Sequence, residues 1–362
     1  MMVGEETVAG KWASFILKAQ HKSGAVHPYL WDRDTLPPLR AGSTARFIRF
    51  CAWLKEDEAS AAAAARFLVS SMLTSGAVPF EVTPKMQRPV KECPYLVTDA
   101  ISTALAGQVL GDEDLIGRAL DFIVWSFRQL PGGKFLPMFY NLERPQSRFP
   151  GSWMHQPTCH QSVVLQLEMD EFVSGTWGES IVDDFAAISD AAMQARDAQS
   201  KLFQADKPKT AVPLLPHFIT CESLLKYFSL YEDKENIDLV AESVLQGVEL
   251  LCGSDAAGDT AQDGQLVGHK RTELVATAIR AGLLVNVLAD NRVPFDALSA
   301  LSDVLSDSLF TVGKFPGMLP VSDDGAWEED VLVSVDGGMV ACQAIRLLSS
   351  DELSLDDFLI LV

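Results

Sequence analysis

The sequence is short of positive charge and of long apolar runs. Its 29 Lys and Arg residues are outnumbered by 49 Asp and Glu residues, which gives a formal net charge of −20. Because affinity for nucleic acid comes largely from Lys and Arg contacts with phosphates, this balance argues against a nucleic-acid partner. No apolar run approaches the ~18 residues that a membrane-spanning helix needs. We therefore expect neither nucleic-acid binding nor a membrane span.

The sequence also lacks a secretory leader pattern and paired cysteines. Acids stand near the N-terminus where a signal peptide carries basic residues, and no apolar segment follows them. The 6 cysteines are spread along the chain without a CxxC pair. This spacing is typical of reduced, mostly buried thiols. We therefore expect a cytoplasmic protein.

Strand signals are scarce. The best short candidate is the Val-rich piece just before Asp336, which contains Val331, Leu332, Val333 and Val335. The composition is 48% hydrophobic and 22% charged, which provides ample apolar surface for a packed core. These features together favour an ordered, mainly helical protein.

A pattern that recurs along the chain consists of an amphipathic helix followed by a Gly- or Pro-containing link. The most complete copy runs from Arg118 to Phe139, and looser copies cover Lys11 to Gly24 and Arg66 to Phe80. The related links lie at residues 23–30, 75–82, 132–139, 209–218, 263–270 and 312–321. Such repetition is the sequence signature of a repeat architecture. It predicts six helical hairpins.

The second helix of each hairpin is predicted to be the inner one. These helices open near Thr44, Thr98, Thr158, Thr220, Thr272 and Ser334. They are apolar at helical spacing and rich in Ala, Gly and Ser around their circumference, which suits a helix that is packed on all sides. The first helices carry more charge, which fits an outer ring with one solvated face. We predict an all-α (α/α)6 toroid that forms a single domain over residues 1–362, with an open α-solenoid as the competing architecture.

The stretch RALDFIVWSFRQLPGGKF (residues 118–135) resembles the QW motif of terpenoid cyclases, with Phe135 where that family has Trp. Residues 11–26 resemble it more loosely. The resemblance implies a toroid in which an outer helix leads into the next inner helix. It does not extend to the chemistry of that family, because the sequence has no DxDD and no DDxxD motif.

A second resemblance is to six-hairpin glycosidases and related toroids that act on sugars. It rests on the predicted architecture and on the segment from Ser334 to Met339, which is similar to the Val-Asp-Gly segment of unsaturated glycuronyl hydrolases. This resemblance implies a polar sugar substrate.

Ionisable side chains stand near the predicted start of the inner helices, which a toroid brings to one end of its barrel. The candidate catalytic residues there are Asp99, Asp336, His160, Glu222 and Glu273. Capping and the helix dipole would explain the Thr residues and the acids without any function. They do not explain Arg46, His160 or Arg271, because cations are disfavoured at a helix N-terminus. A mixed group of this kind is what general acid-base chemistry needs.

Three histidines share a His-x-x-Thr pattern, namely His155, His217 and His269. Zinc is one interpretation, because Cys159, Cys221 and His160 are near this pattern in the sequence and Cys and His are the usual zinc ligands. The spacings match no standard zinc motif, so we expect no metal and no other cofactor. We interpret these histidines as substrate-contacting or loop-stabilising groups.

Aromatic residues in the predicted loops form another candidate set: Trp31, Trp153 and Trp327. Trp31 lies in WDRD and Trp327 in DDGAWEED, where charged neighbours are unusual for a core tryptophan. One interpretation is ordinary packing at the mouth of the barrel. The other is stacking on a ligand such as a sugar ring, whose orientation neighbouring polar groups would fix.

The residues predicted at the rim of the barrel favour a sugar-active enzyme over a terpenoid cyclase. A terpenoid cyclase guides a carbocation in a cavity of aromatic rings, whereas the rim here is charged and hydroxylated and aromatic residues make up 9% of the chain. We therefore predict an enzyme that acts on a carbohydrate or uronic-acid-containing oligosaccharide by hydrolysis, elimination or epimerisation. The alternatives are a terpenoid cyclase with Asp99 or Asp336 as its lone proton donor, and a non-catalytic toroid that binds a partner.

Each reaction gives the candidates a role. For hydrolysis, Asp99 and Asp336 would share the acid and base roles. Glu222 and Glu273 are reserves for the same roles. For elimination or epimerisation, His160 would abstract a proton α to a carboxylate that Arg46 or Arg271 holds. The sequence does not choose among these reactions, nor does it predict an oligomeric state.

Overall fold

The computed structural model describes residues 2–31, 37–55, 57–84, 89, 93–129, 138–144, 147–148, 162–169, 179–204, 211–253, 260–262, 265–267, 272–308 and 332–359. The chain divides into two compact units. Unit 1 comprises Met1–Lys18, Tyr29–Thr35 and Ala191–Leu359, and unit 2 comprises Ala19–Pro28, Leu36–Asp190 and Ile360–Val362. The single domain over residues 1–362 stays a prediction.

Helices dominate the described residues. The α-helices are α1 Met2–Lys18, α2 Ala41–Leu54, α3 Glu58–Ser71, α4 Val97–Leu110, α5 Glu113–Gln129, α6 Glu179–Gln194, α7 Leu214–Leu230, α8 Lys234–Gly253, α9 Thr272–Leu288, α10 Phe295–Ser308, α11 Val335–Leu348 and α12 Asp356–Leu359. A 3-10 helix covers Val164–Met169. Among these helices, none is both long and apolar enough to cross a bilayer.

The strands are two or three residues long. They are β1 Tyr29–Trp31, β2 Leu39–Arg40, β3 Glu81–Val82, β4 Tyr95–Leu96, β5 Met138–Phe139, β6 Ser147–Arg148, β7 Ala211–Pro213, β8 Thr260–Gln262, β9 Gln265–Val267 and β10 Leu332–Ser334. They pair antiparallel as β1-β10, β2-β3, β4-β5-β6 and β7-β8-β9. The strand predicted from the Val-rich piece before Asp336 is confirmed as β10.

In unit 1, burial confirms the inner and outer assignment. Helix α9 packs against α7 and α11, and every residue from Leu274 to Val285 is buried. A helix that is hydrophobic all round belongs in a core. Helix α8 packs on α7 and α9, α10 packs on α9, and α1 packs on α11. Helices α7, α9 and α11 are therefore the inner helices of this unit.

Unit 2 repeats the arrangement with α2 and α4 as its inner helices. They pack side by side, with α3 against α2 and α5 against α4. The buried residues of α3 recur at the spacing of one helix face, at Ala61, Ala64, Ala65 and Leu68. The helix predicted from residue 118 onward is α5. Its Phe122 and Trp125 rings lie 5.7 Å apart, and both contact the Phe139 ring.

Inner helices begin directly where a strand ends. Helix α2 follows β2, α4 follows β4, α7 follows β7 and α11 follows β10. The residues before α2, α4 and α7 have extended backbones and make no side-chain capping hydrogen bond. Helix α7 begins at Leu214, well before Thr220, because proline is tolerated in the first turn of a helix, where Pro216 lies. The link predicted at residues 209–218 is therefore partly helical.

Glycines in the links serve close backbone contacts. Gly24 has φ 94° and lies against the carbonyl of Ala63 in α3, and Gly76 has φ 79° and lies against the carbonyl of Arg118 in α5. A Cβ at either position would overlap the carbonyl oxygen. Glycine adopts positive φ without strain and leaves room for this approach. This contact between a link glycine and a carbonyl of the following outer helix, which we call a glycine joint, occurs twice in unit 2. It explains why glycine recurs in the links.

The remaining links and the cysteines are described only in part. The link at residues 312–321 and most of the links at residues 132–139 and 263–270 lie outside the described residues. Cys51, Cys93, Cys221 and Cys342 are buried free thiols, and Cys252 is an exposed one. Cys159 is outside the described residues. The expectation of mostly buried, unbridged cysteines is confirmed for the five that the structure describes.

Candidate functional site

Three of the predicted catalytic acids lie in the first turn of an inner helix. Asp99 is in the first turn of α4, Glu273 in that of α9 and Asp336 in that of α11. Acids are favoured there because the unpaired N–H groups of the first turn carry a partial positive charge. Asp99 is buried, whereas Glu273 and Asp336 are partly exposed. The positions follow the sequence expectation, and the catalytic roles stay predictions.

In unit 1, the chain brings Asp336 and Glu273 onto neighbouring elements. Helices α9 and α11 pack together, and β10 leads into α11 from its pairing with β1. The register of that pair sets Trp31 opposite Leu332. The backbone of Trp31 thus lies beside β10, the strand that leads into the helix of Asp336, while its side chain is outside the described part of the structure. Asp336 and Glu273 therefore lie on inner helices that pack together, and Trp31 pairs with the strand that leads into one of them.

In unit 2, the carboxylate of Asp99 lies against the first turn of α2. A Cβ on Gly42 would overlap Oδ1 of Asp99 and lie 3.3 Å from its Cγ. The hydroxyl of Thr103 donates to the Asp99 carbonyl oxygen at 2.8 Å. Arg46 follows Gly42 by one helical turn, so it stands on the same face of α2. Two predicted site residues, Asp99 and Arg46, are thus brought to the packed pair α2 and α4.

The sequence prediction missed a cation immediately before α2. Arg40, the last residue of β2, donates to Glu81 Oε1 from Nη2 at 3.1 Å, and its guanidinium lies 4.3 Å from the centre of the Phe80 ring. Arg40 and Glu81 are paired across β2 and β3. Opposite charges directly across a strand pair stabilise it. The arrangement orients Arg40 immediately before α2, and no sequence signal for it was available because strands this short have no visible periodicity.

Glu222 lies in the interior of unit 1, in the middle of α7. Arg280 of α9 donates to both of its carboxylate oxygens, from Nε at 3.1 Å and from Nη2 at 2.9 Å. Nη1 of the same arginine donates to Gln343 Oε1 of α11 at 3.3 Å. All three residues are buried. A polar network therefore joins three inner helices, and this structural pairing accounts for the Glu222 charge, while its catalytic role stays a prediction.

The sequence prediction also missed Arg280 and Gln343. A signal for Arg280 existed, because it is the only charged residue between Glu273 and Leu288. A lone charge in an apolar helix must find a partner when it is buried. The identity of that partner depends on how α7, α9 and α11 are packed.

His217 connects α7 to two neighbouring segments. Its Nδ1 accepts a hydrogen bond from the Phe203 backbone N–H at 3.1 Å, and its Nε2 is 3.0 Å from the Ser243 carbonyl oxygen. An accepting Nδ1 carries no proton, so Nε2–H is the donor and the ring is neutral. Burial lowers the pKa of His217 to about 4. Both ring nitrogens bind backbone groups, which favours the interpretation as a loop-stabilising histidine.

This burial predicts a pH dependence of stability. The folded-state pKa of His217 is about 4, below its ordinary value of 6.5. Between these values the unfolded chain binds a proton that the folded chain excludes, so the free energy of unfolding falls as the pH falls. At about 1.4 kcal/mol per pH unit, we expect a loss of about 2 kcal/mol between pH 6.5 and pH 5. Urea unfolding at pH 5, 6 and 7 measures it.

The comparison that isolates this effect is between His217→Asn and the wild-type chain. The substitution is expected to remove the contribution of His217 to this dependence, about 2 kcal/mol between pH 6.5 and pH 5, whatever it does to stability at pH 7. His21→Asn is the control, because His21 is partly exposed and should change the slope much less. An unchanged pH slope in the His217 variant would contradict the neutral, buried imidazole.

Other predicted site residues lie outside the described part of the structure. They are His160, Trp153, His155, His269, Arg271 and Trp327. Their roles stay predictions. Within the described ranges, no group of three or more His, Cys, Asp and Glu residues is placed to hold a metal ion.

Comparisons with known proteins identify the fold. A sugar epimerase from a ruminal bacterium is similar over 96% of this chain and 99% of its own, with a TM-score of 0.72 and 11% identity. Cellobiose 2-epimerase from Bacillus thermoamylovorans is similar over 94% and 99%, with a TM-score of 0.67 and 11% identity. A type II terpene cyclase from Scytonema is similar over 96% and 98%, with a TM-score of 0.60 and 12% identity. No protein-family model and no curated protein matches the sequence.

These likenesses confirm the predicted fold class, the (α/α)6 toroid. Both resemblances drawn from the sequence, to terpenoid cyclases and to sugar-active toroids, recur among the similar structures. At 11–12% identity they show the fold, and they leave the reaction of this chain to be argued from its own residues.

Proposed function

We propose that the chain is an enzyme that acts on a carbohydrate or a uronic-acid-containing oligosaccharide. The observation that carries the proposal is the acid in the first turn of three inner helices, Asp99, Glu273 and Asp336, in both units of the chain. Unit 2 also carries Arg40, Arg46 and the Phe80 ring at or near the start of α2, and the backbone of Trp31 pairs with the strand that leads into α11. Carboxylates, guanidinium groups and aromatic rings are the side chains that orient a polar, ring-shaped substrate.

Hydrolysis is one reaction that these acids can support. It needs two carboxyl groups, one that protonates the leaving oxygen and one that acts as base or nucleophile. Asp99 and Asp336 remain the first pair, and Glu222 and Glu273 remain reserves. Glu273 and Asp336 have the advantage of lying on helices that pack together within unit 1.

Elimination or epimerisation is the other type of reaction that the candidate residues can support. Either reaction begins when a base removes a proton from a carbon next to a carbonyl or carboxylate group. His160 is the proposed base. Arg46 or Arg271 would hold a substrate carboxylate through paired N–H donors. Arg46 lies in α2 on the Asp99 side of unit 2.

A polar substrate is favoured over a terpenoid on the residues of this chain. The sequence lacks DxDD and DDxxD, so neither acid motif of the terpenoid resemblance is present. In unit 2, Arg40 pairs with Glu81 and lies over the single Phe80 ring just before α2, and Arg46 lies one helical turn beyond Gly42, which contacts Asp99. Charged groups of both signs suit hydroxyl and carboxylate substituents better than a hydrocarbon cation.

A thermal-shift screen tests the proposal. The purified chain is melted with D-glucuronate, cellobiose, longer neutral oligosaccharides and prenyl diphosphates. A ligand that binds only the folded state at 100 times its Kd stabilises the protein by about 2.7 kcal/mol, which raises the melting temperature by several degrees. We expect such a rise with at least one sugar. A rise with prenyl diphosphates alone would favour the terpenoid alternative instead.

A further inference from the structure

Gly42 occupies the second position of α2 without any conformational need for glycine. Its φ is not in the left-handed region, and the position is helical. Glycine in a helix costs roughly 0.5–1 kcal/mol relative to alanine. The property that Gly42 offers is therefore space, and the carboxylate of Asp99 occupies that space, since a Cβ on Gly42 would overlap Oδ1.

The contact fixes the place of the Asp99 carboxylate. The residue before α2, Arg40, makes no side-chain capping bond to the N–H groups of the first turn. The partial positive charge of that turn attracts a carboxylate. The hydroxyl of Thr103, one turn further along α4, donates to the Asp99 carbonyl oxygen at 2.8 Å. Asp99 is 8% exposed, so it has little freedom to take another orientation.

We propose that Gly42 is a positioning residue for Asp99. The missing side chain lets the carboxylate rest on the first turn of α2, in the orientation in which it meets a sugar substrate. The inference deepens the proposed function, on which its ligand-binding part rests. The contact itself stands on geometry alone, so the two parts can be tested separately.

The first test is a double-mutant cycle on stability. An added methyl group at Gly42 must displace either the carboxylate or the helix, and overpacking of this kind lowers stability. We expect Gly42→Ala to lower the melting temperature by about 4 °C in the wild-type chain and by less than about 1 °C in the Asp99→Ala chain. Equal losses in both backgrounds would overturn the positioning role.

Gly117→Ala is the matched control. Gly117 lies within α5, and a Cβ there meets no atom within 4 Å. The substitution should leave the melting temperature unchanged or raise it, because alanine is the better helix former.

The second test measures ligand binding as the rise in melting temperature that a sugar causes. A purely structural role for Gly42 would change the melting temperature of the free protein but not this rise. D-glucuronate and cellobiose are the probes. We expect Gly42→Ala and Asp99→Ala to reduce the sugar-induced rise in melting temperature by at least half, with Gly117→Ala unchanged. A Gly42→Ala chain that keeps the full rise while Asp99→Ala loses it would overturn the inference. If neither sugar stabilises the wild-type chain, the proposed function fails, and the stability cycle still decides whether Gly42 positions Asp99.

Discussion

Asp336→Asn is expected to abolish turnover of the sugar substrate while it costs little stability. The residue lies in the first turn of α11 and is partly exposed, and asparagine keeps its shape but cannot exchange a proton at neutral pH. Loss of a general acid or base typically lowers the rate by 10²–10⁴-fold. Removing the charge from the first turn weakens its interaction with the helix dipole, which is worth about 0.3–1 kcal/mol. Steady-state kinetics on the sugar that stabilises the chain most, with a urea melt of both proteins, measures the two effects.

An exposed acid elsewhere in unit 1 provides the control. Asp351 lies just beyond α11 and is exposed. Asp351→Asn should change neither turnover nor stability noticeably. Retained turnover in Asp336→Asn would remove this residue from the site, and equal losses in both variants would point to a non-specific effect of charge.

Glu222→Ala is expected to lower the free energy of unfolding by about 3–5 kcal/mol, because breaking a buried ion pair leaves its other charge in an apolar interior. The pair is almost fully buried, with 2% of the Arg280 side chain and 6% of the Glu222 side chain exposed. Since a domain is stable by only about 5–15 kcal/mol, the variant should fold marginally. Urea unfolding at pH 7 measures the change.

The matched control replaces the whole network. Glu222→Leu, Arg280→Met and Gln343→Leu together remove both charges and the amide, and apolar substitutes of similar volume are often as stable as a buried ion pair. We expect this triple variant to be more stable than Glu222→Ala. If Glu222→Ala unfolds at the same urea concentration as the wild-type chain, the pair has been wrongly placed in the interior.

The helical part of the fold could be predicted because its signals are local. The apolar spacing of Ala61, Ala64 and Leu68 and the all-round apolarity of α9 each follow from a few neighbouring residues. The strands could not be predicted in the same way. Two paired residues such as Arg40 and Glu81 have no periodicity, and their partners are far away in the sequence.

The positions of the candidate site residues were predicted correctly where the first residue of the inner helix was predicted correctly. Asp99 and Asp336 were placed correctly in first turns, because α4 and α11 begin close to the predicted residues. Glu222 was expected near a helix start but lies in mid-helix, because the prolines before it were interpreted as a link and α7 begins earlier. Arg280 and Gln343 meet it only through the packing of three helices, which no single segment encodes.

The glycine joints at Gly24 and Gly76 bear on how such a chain can change. Each joint centres on a main-chain contact, to which α5 adds its Arg118 guanidinium, a donor to the Met72 and Leu73 carbonyl oxygens. Helix α3 is rich in alanine and α5 is rich in large apolar residues, yet a carbonyl of each meets the preceding link in the same way. Outer helices of different composition can therefore meet their links through the same backbone contact, provided that each link keeps its glycine.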